Sequence, residues 1–415
     1  MLRNPETQPA TAASRAAAAA RLLNADRLKT LMATAGLDAV VATAPENVTY
    51  ASGYWAMSQW LRRGPQTYVL LAGEDLAAST IIASTTLLDL IADQDIWIDR
   101  IRRFGYFQID RIDGPLDTVD RHQAELYGLA DDKDPIDALC AAVREAGLER
   151  GRIGIDELGL LHGYWERLQE KLPHATLVPA LQLFRSVRAV KTTEEIERLR
   201  RAAQMTERSI EAALGVAREG ASECDLAEAF HNRTIAEGGY PVLGCIGFGT
   251  RSAMPNVQPS DVRLKRGEVI RFDVGGRYRH YRADIARIAV LGEPDAKVAA
   301  YYRALHVGTR KAIETIRPGV RTADVFDVAV EAVRREGIPH YSRSHVGHGI
   351  GIDGYDPPDL AASSTAVIEE GMVLCVETPY YELGWCGLQV EDMVVVRADG
   401  CESLMSTDGR LMTAG

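Results

Sequence analysis

The chain has 415 residues, 46% apolar and 25% charged, an ordinary globular balance that excludes disordered, collagenous and disulfide-scaffold classes. Its 58 acidic and 47 basic residues give a formal charge of −11 with no offsetting basic run, so neither nucleic acid nor a membrane surface is an expected partner. Six cysteines without a C-x-x-C pair fit a reducing, cytoplasmic setting and core thiols. At about 100 to 200 residues per domain, the length predicts two domains.

In chain order, the alanine run 16–20 is bracketed by Arg15 and Arg21. It lacks an apolar stretch of about 7 or more residues before a cleavage signal, and it reads as a leader running into the first helix. No stretch approaches the roughly 18 apolar residues of a membrane span. From Asn24 the text predicts a helix, a buried strand over 38–43 and a turn at Pro45, Glu46 and Asn47. Apolar runs at 67–71 and 152–155 alternate with helical segments such as 137–146, so residues 20–187 form an α/β domain. After Val190, KTTEEIERLRRAAQMTERSIEAALGVA is an amphipathic helix behind a threonine cap, with a solvated charged face over 194–207. It opens a second domain, 188–410, with helices at 223–237, 295–316 and 322–336 between apolar strands.

The chemistry is concentrated in the second domain. VIRFDVGGRYRHYRADIARIAVL reads as two strands, and a hairpin centred between Tyr278 and Arg279 would set Asp273 opposite Asp284. Facing like charges are destabilising by roughly 0.2 to 1 kcal/mol unless neutralised, and a cation is the natural candidate. VLCVETPYY and GLQVEDMVVV flank Gly384, from which Glu377 and Glu391 are equidistant. Between the hairpins, His348 stands among glycines, which let a backbone pass close to a ligand. One such residue is an ordinary strand-end acid or loop histidine. Four carboxylates inside apolar runs are not, because burying them unpaired costs roughly several kcal/mol per ion.

These residues carry a family resemblance. Asp273 and Asp284, the GHGIG around His348, Glu377 in VETPYY and Glu391 in QVED resemble the metal-binding pattern of the creatinase/prolidase/methionine aminopeptidase superfamily. NVTYASGY resembles the matching part of a creatinase-type N-terminal domain. The resemblance implies an α/β plus α+β protein, with that N-terminal domain followed by a pita-bread catalytic domain. It also implies two divalent ions, manganese first, with cobalt, iron or zinc as alternatives. Asp284 and Glu391 would bridge them, Asp273 would complete one site, and His348 with Glu377 the other. A bridging hydroxide would attack, and Glu377 would act as general base. The two-domain form points to Xaa-Pro peptidases of the prolidase and aminopeptidase P kind, acting on a small peptide, as a homodimer. The alternative is a small-molecule C–N hydrolase of the creatinase or ectoine hydrolase kind on a small amide. A third reading is a non-catalytic binding module.

Outside the ligands the sequence departs from the peptidases. Asn256 in MPN and Tyr355 in GYDPP stand where those enzymes carry histidines, and Gln389 stands where they often carry arginine. All three can hydrogen-bond, and none is cationic at pH 7. His345 either replaces a lost imidazole or is a loop histidine. Trp55, Trp60, Arg62 and Arg63 follow SGY, where a core or interface role is expected ahead of substrate recognition.

Overall fold

Asn24 opens the helix Ala25–Ala35 by accepting a hydrogen bond from the Arg27 N–H, as an N-cap should. The computed structural model describes residues 22–61 and 64–415. The alanine run, Arg62 and Arg63 therefore lie outside the described residues. The chain divides after Arg188 into two units, the second being Ala189–Gly415.

The first unit holds a six-stranded mixed sheet of β1 (Ala39–Ala42), β2 (Tyr68–Ala72), β3 (Thr80–Ser84), β4 (Arg100–Phe104), β5 (Arg152–Ile155) and β6 (Thr176–Pro179), in the order β4-β3-β2-β1-β5-β6. β1 is buried on both faces, as the run AVVA demands. The expected turn at residues 45–47 is instead the start of a helix, Pro45–Ser52. Proline suits the first helical position, where its missing N–H has no partner to lose. Buried Asp156 accepts from the N–H groups of Thr43 and Ala44 and from Asn47 Nδ2 at 3.2, 2.8 and 2.7 Å, tying this corner to the end of β5. Trp60 donates its indole N–H to Thr49 Oγ1 at 3.0 Å within the same unit.

The second unit is built on a ten-stranded sheet. Its strands are β7 (Tyr240–Phe248), β8 (Val269–Tyr278), β9 (Tyr281–Arg282), β10 (Ile285–Leu291), β11 (Gly347–Gly349), β12 (Asp356–Asp359), β13 (Val373–Glu377), β16 (Glu391–Arg397), β17 (Gly400–Ser403) and β18 (Met412–Ala414). A short ribbon of β14 (Tyr380–Tyr381) and β15 (Gly387–Leu388) projects between β13 and β16. The central order is β12-β11-β13-β16-β10-β8-β7. Leu374, Val376, Val394 and Val396 enter a core with Leu305, Val325 and Ala329 of the helices Ala296–Thr315 and Thr322–Arg335. Strand alternation then turns Cys375, Glu377, Glu391 and Met393 to the other face.

The helix Thr193–Leu214 begins at Thr192 with a reciprocal capping box to Glu195. Glu197 and Arg201 are exposed as expected of a solvated face, but two other charged residues depart from it. Glu195 is buried, accepting from the Thr192 N–H at 2.8 Å and the Tyr281 hydroxyl at 3.0 Å. Glu207 is buried too, and accepts from the backbone N–H groups of Ser406 and Thr407 at 2.6 and 3.0 Å. Helical periodicity places both residues on the helix but carries no information about the segments that later cover them. All six cysteines are free; Cys224 is exposed, unlike the core thiol expected.

Candidate metal centre

Four strands align the acids. Asp273 of β8 lies opposite Ala286 of β10, Ala286 opposite Glu391 of β16, and Glu391 opposite Glu377 of β13. Directly opposed residues project from one face, so the three acids form a row in which the small Ala286 leaves space. Asp284 flanks that row two residues from Ala286. His348 of β11 is opposite Cys375, two residues from Glu377. Carboxylate oxygens of Asp273, Asp284 and Glu391 lie within 4.8 Å of one another, and His348 Nε2 is 3.9 Å from Asp284 Oδ2.

The first hairpin differs from expectation. Its centre falls between Arg279 and His280, which have φ of 44° and 76°, with Tyr278 opposite Tyr281. Positive φ at both turn residues matches a two-residue type I′ connection, whose twist suits the strands. Asp273 therefore faces Ala286 rather than Asp284, and the two aspartates are diagonal neighbours. The slip is two residues in register, so both stay on one face. In the second hairpin Glu377 pairs with Glu391, and Gly384 sits midway with φ 84°. Gly347, just before His348, has φ 141°, and a Cβ there would come within 2.0 Å of the Cys375 carbonyl oxygen. Only glycine lets β11 approach β13 closely enough to deliver the imidazole.

Packing the acids together raises their affinity for protons. Burial and then the neighbouring Asp273 push Glu377 up to about 7. Burial, then Asp273 and Glu377, holds Asp284 well above the usual carboxylate range, and Glu391 is raised by burial and then by Asp284, Glu377 and Asp273. Asp273 is also raised by burial, against the pull of the Arg271 guanidinium. Burial lowers His348, leaving a neutral imidazole able to ligate. Asp284 Oδ1 is buried without a hydrogen-bond partner among the described residues. An orphaned carboxylate oxygen beside three further acids and a neutral imidazole suits divalent cations, which supply the missing positive charge. Cys375 is buried, its Sγ within 4.8 Å of a ring nitrogen of His348 and a carboxylate oxygen of Glu391. Burial and the acids hold its thiol protonated, and it donates to the Asp284 carbonyl at 3.7 Å.

Comparison with known proteins gives this arrangement its family. The pattern of metallopeptidase family M24 matches residues 197–398, and that of the creatinase/prolidase N-terminal domain matches residues 25–190. The chain belongs to this two-domain creatinase/prolidase family. An uncharacterized peptidase of Staphylococcus aureus is 30% identical over 223 residues, 53% of this chain and 63% of that protein. The chain thus spans under two thirds of that relative's length. The Xaa-Pro dipeptidase of Pyrococcus horikoshii is 28% identical over 265 residues, 62% of this chain and 76% of its own. Among solved structures, the X-Pro aminopeptidase of Thermotoga maritima superposes with a TM-score of 0.75 at 23% identity, covering 94% of this chain and all of that one. The prolidase of Pyrococcus furiosus gives 0.71 at 24% identity, covering 92% and 99%. These structures share the fold, the pita-bread catalytic architecture included.

Around this family's acid cluster, the other candidate residues fall in different places. His345 Nδ1 is 3.3 Å from Glu377 Oε1, and burial lowers its pKa. Gln389 is buried and donates from Nε2 to Glu377 Oε2 at 3.2 Å and to Glu391 Oε2 at 3.4 Å. Tyr355 is 59% exposed and stacks on His348, with ring centroids 4.1 Å apart. Asn256 is exposed, and its side chain makes no hydrogen bond to the acids among the described residues. Sequence reasoning missed Arg271 and Cys375. Both had a signal, since each lies two residues before a candidate ligand on a strand, and alternation puts such pairs on one face.

Proposed function

We propose that the chain is a metal-dependent hydrolase of the Xaa-Pro peptidase kind, cleaving a C–N bond at the cluster of Asp273, Asp284, His348, Glu377 and Glu391. The observation that supports this most is the row of three acids flanked by Asp284 with its orphaned oxygen. In this reading the five residues hold two divalent ions, manganese by preference. Bound there, the ions supply Lewis-acid activation of the scissile carbonyl and of water.

The remaining chemistry belongs to the side chains. Glu377 takes a proton from the attacking water and returns it at the leaving nitrogen, as a general acid–base group does. His345, 3.3 Å from Oε1, supports that carboxylate at the oxygen that Gln389 does not contact. Tyr355 packs its ring on His348 and offers its hydroxyl to the substrate. A small amide outside the peptide class is the second reading, favoured by the exposed Asn256 and Tyr355 where the peptidases carry histidines. The test is turnover by the manganese- and cobalt-loaded protein of Xaa-Pro dipeptides, longer Xaa-Pro peptides and small amides. Cleavage of any class that disappears in Glu377→Gln supports the proposal. A fully loaded protein inert toward all three contradicts it.

A further inference from the structure

Arg271 is fully buried, although a guanidinium keeps its charge at any accessible pH and carries five N–H donors. Such a group survives burial only when it is bonded on several sides. Its Nη1 donates to Asp273 Oδ2 and to Gln389 Oε1, both at 3.0 Å. Its Nη2 donates to the carbonyls of Met254 and Pro255 at 2.7 and 2.8 Å. The ring of Tyr381 lies 5.3 Å from the guanidinium carbon. One cation thus joins β8, the loop before it and the residue leading into β16.

The consequence falls on Gln389. Its Oε1 accepts from both Arg271 Nη1 and the Tyr381 hydroxyl, each at 3.0 Å, which leaves Nε2 toward Glu377 and Glu391. Turned over, the amide would set its oxygen against two carboxylates and its NH2 against two donors. Arg271 and Tyr381 therefore decide which end of the amide meets the cluster. We propose that Arg271 and Gln389 form a positioning relay, in which the buried charge acts directly on Asp273 and, through the Gln389 amide, on Glu377 and Glu391. The relay holds those carboxylates in the orientation that receives metal. It rests on the reading of this cluster as a metal centre.

The test measures manganese affinity by titration calorimetry, without turnover. Gln389→Met removes the amide while leaving the other Arg271 contacts, and should weaken manganese binding by roughly 10- to 100-fold, as loss of a group that orients ligands does. Arg271→Met should weaken it at least as much. Because the two share part of one path, the loss in the double variant should be smaller than the sum of the two single losses. Wild-type affinity in Gln389→Met overturns the relay and leaves the metal centre standing. Additive losses in the double variant also overturn it. Should Arg271→Met fail to fold, Gln389→Met still decides. A wild-type protein that binds no manganese overturns the metal centre and the relay together.

Discussion

Stripping metal from the cluster should make the protein less stable as pH rises. A carboxyl whose folded pKa is raised stays protonated in the native state while its unfolded counterpart ionises. Stability is then intact below the unfolded value and falls as pH climbs toward the folded one. Glu377, moved from 4.5 to about 7, accounts for about 3 kcal/mol over that window at about 1.4 kcal/mol per unit. Asp284 and Glu391, also raised, add to the loss in the same direction. At about 2–4 °C per kcal/mol for a unit of this size, the Glu377 contribution alone is roughly 6 to 12 °C in Tm. The assay is thermal unfolding of the chelator-treated protein from pH 5 to 8.5, with and without manganese, beside Glu377→Gln. The metal-free wild type should lose Tm with pH, Glu377→Gln should lose less, and manganese should restore Tm most at high pH, where its ligands are deprotonated. A metal-free protein whose Tm is level or rises over this range, and does not respond to manganese, would refute the electrostatic account.

Glu195, pushed by burial up to about 8, gives a second pH dependence independent of metal. Glu195→Gln should flatten the decline in urea-unfolding stability between pH 5 and 8 in the manganese-loaded protein, and an unchanged slope would count against burial as its cause. Tyr355→Phe should keep its stack on His348 and its metal while losing turnover by about 100-fold or more, as removal of a transition-state donor does; equal kcat in the two proteins would remove the hydroxyl from the mechanism. Gly347→Ala must relieve a 2.0 Å contact at positive φ, so His348 should shift and manganese affinity fall, with at least about 1–3 kcal/mol of lost stability by urea unfolding.

Much of the site was legible because strand alternation and hairpin symmetry are properties of the sequence. Equal spacing about Gly384 places Glu377 beside Glu391, and the structure has that pair. The first hairpin was placed one residue too early because nothing in GGRYRHYRAD marks Arg279 and His280 as residues that take positive φ. The error preserved the face, so the cluster survived it. Alternation puts Arg271 on the face of Asp273, but what it binds was hidden for a different reason. Its partners are the carbonyls of Met254 and Pro255 and the amide of Gln389, contacts made only once distant segments fold together. The same holds for Glu207, whose acceptor role depends on Ser406 and Thr407 far along the chain. Local pattern gives an element and a face, whereas tertiary cover decides which charges are buried.

The central claim, that Asp273, Asp284, His348, Glu377 and Glu391 together hold divalent metal, is tested most directly by counting ions. Elemental analysis after manganese loading and dialysis should find about two per wild-type chain. Asp284→Asn, with the flanking acid neutralised, should retain well under half of that while keeping its circular dichroism. Full occupancy in Asp284→Asn, or none in the wild type, would contradict the account.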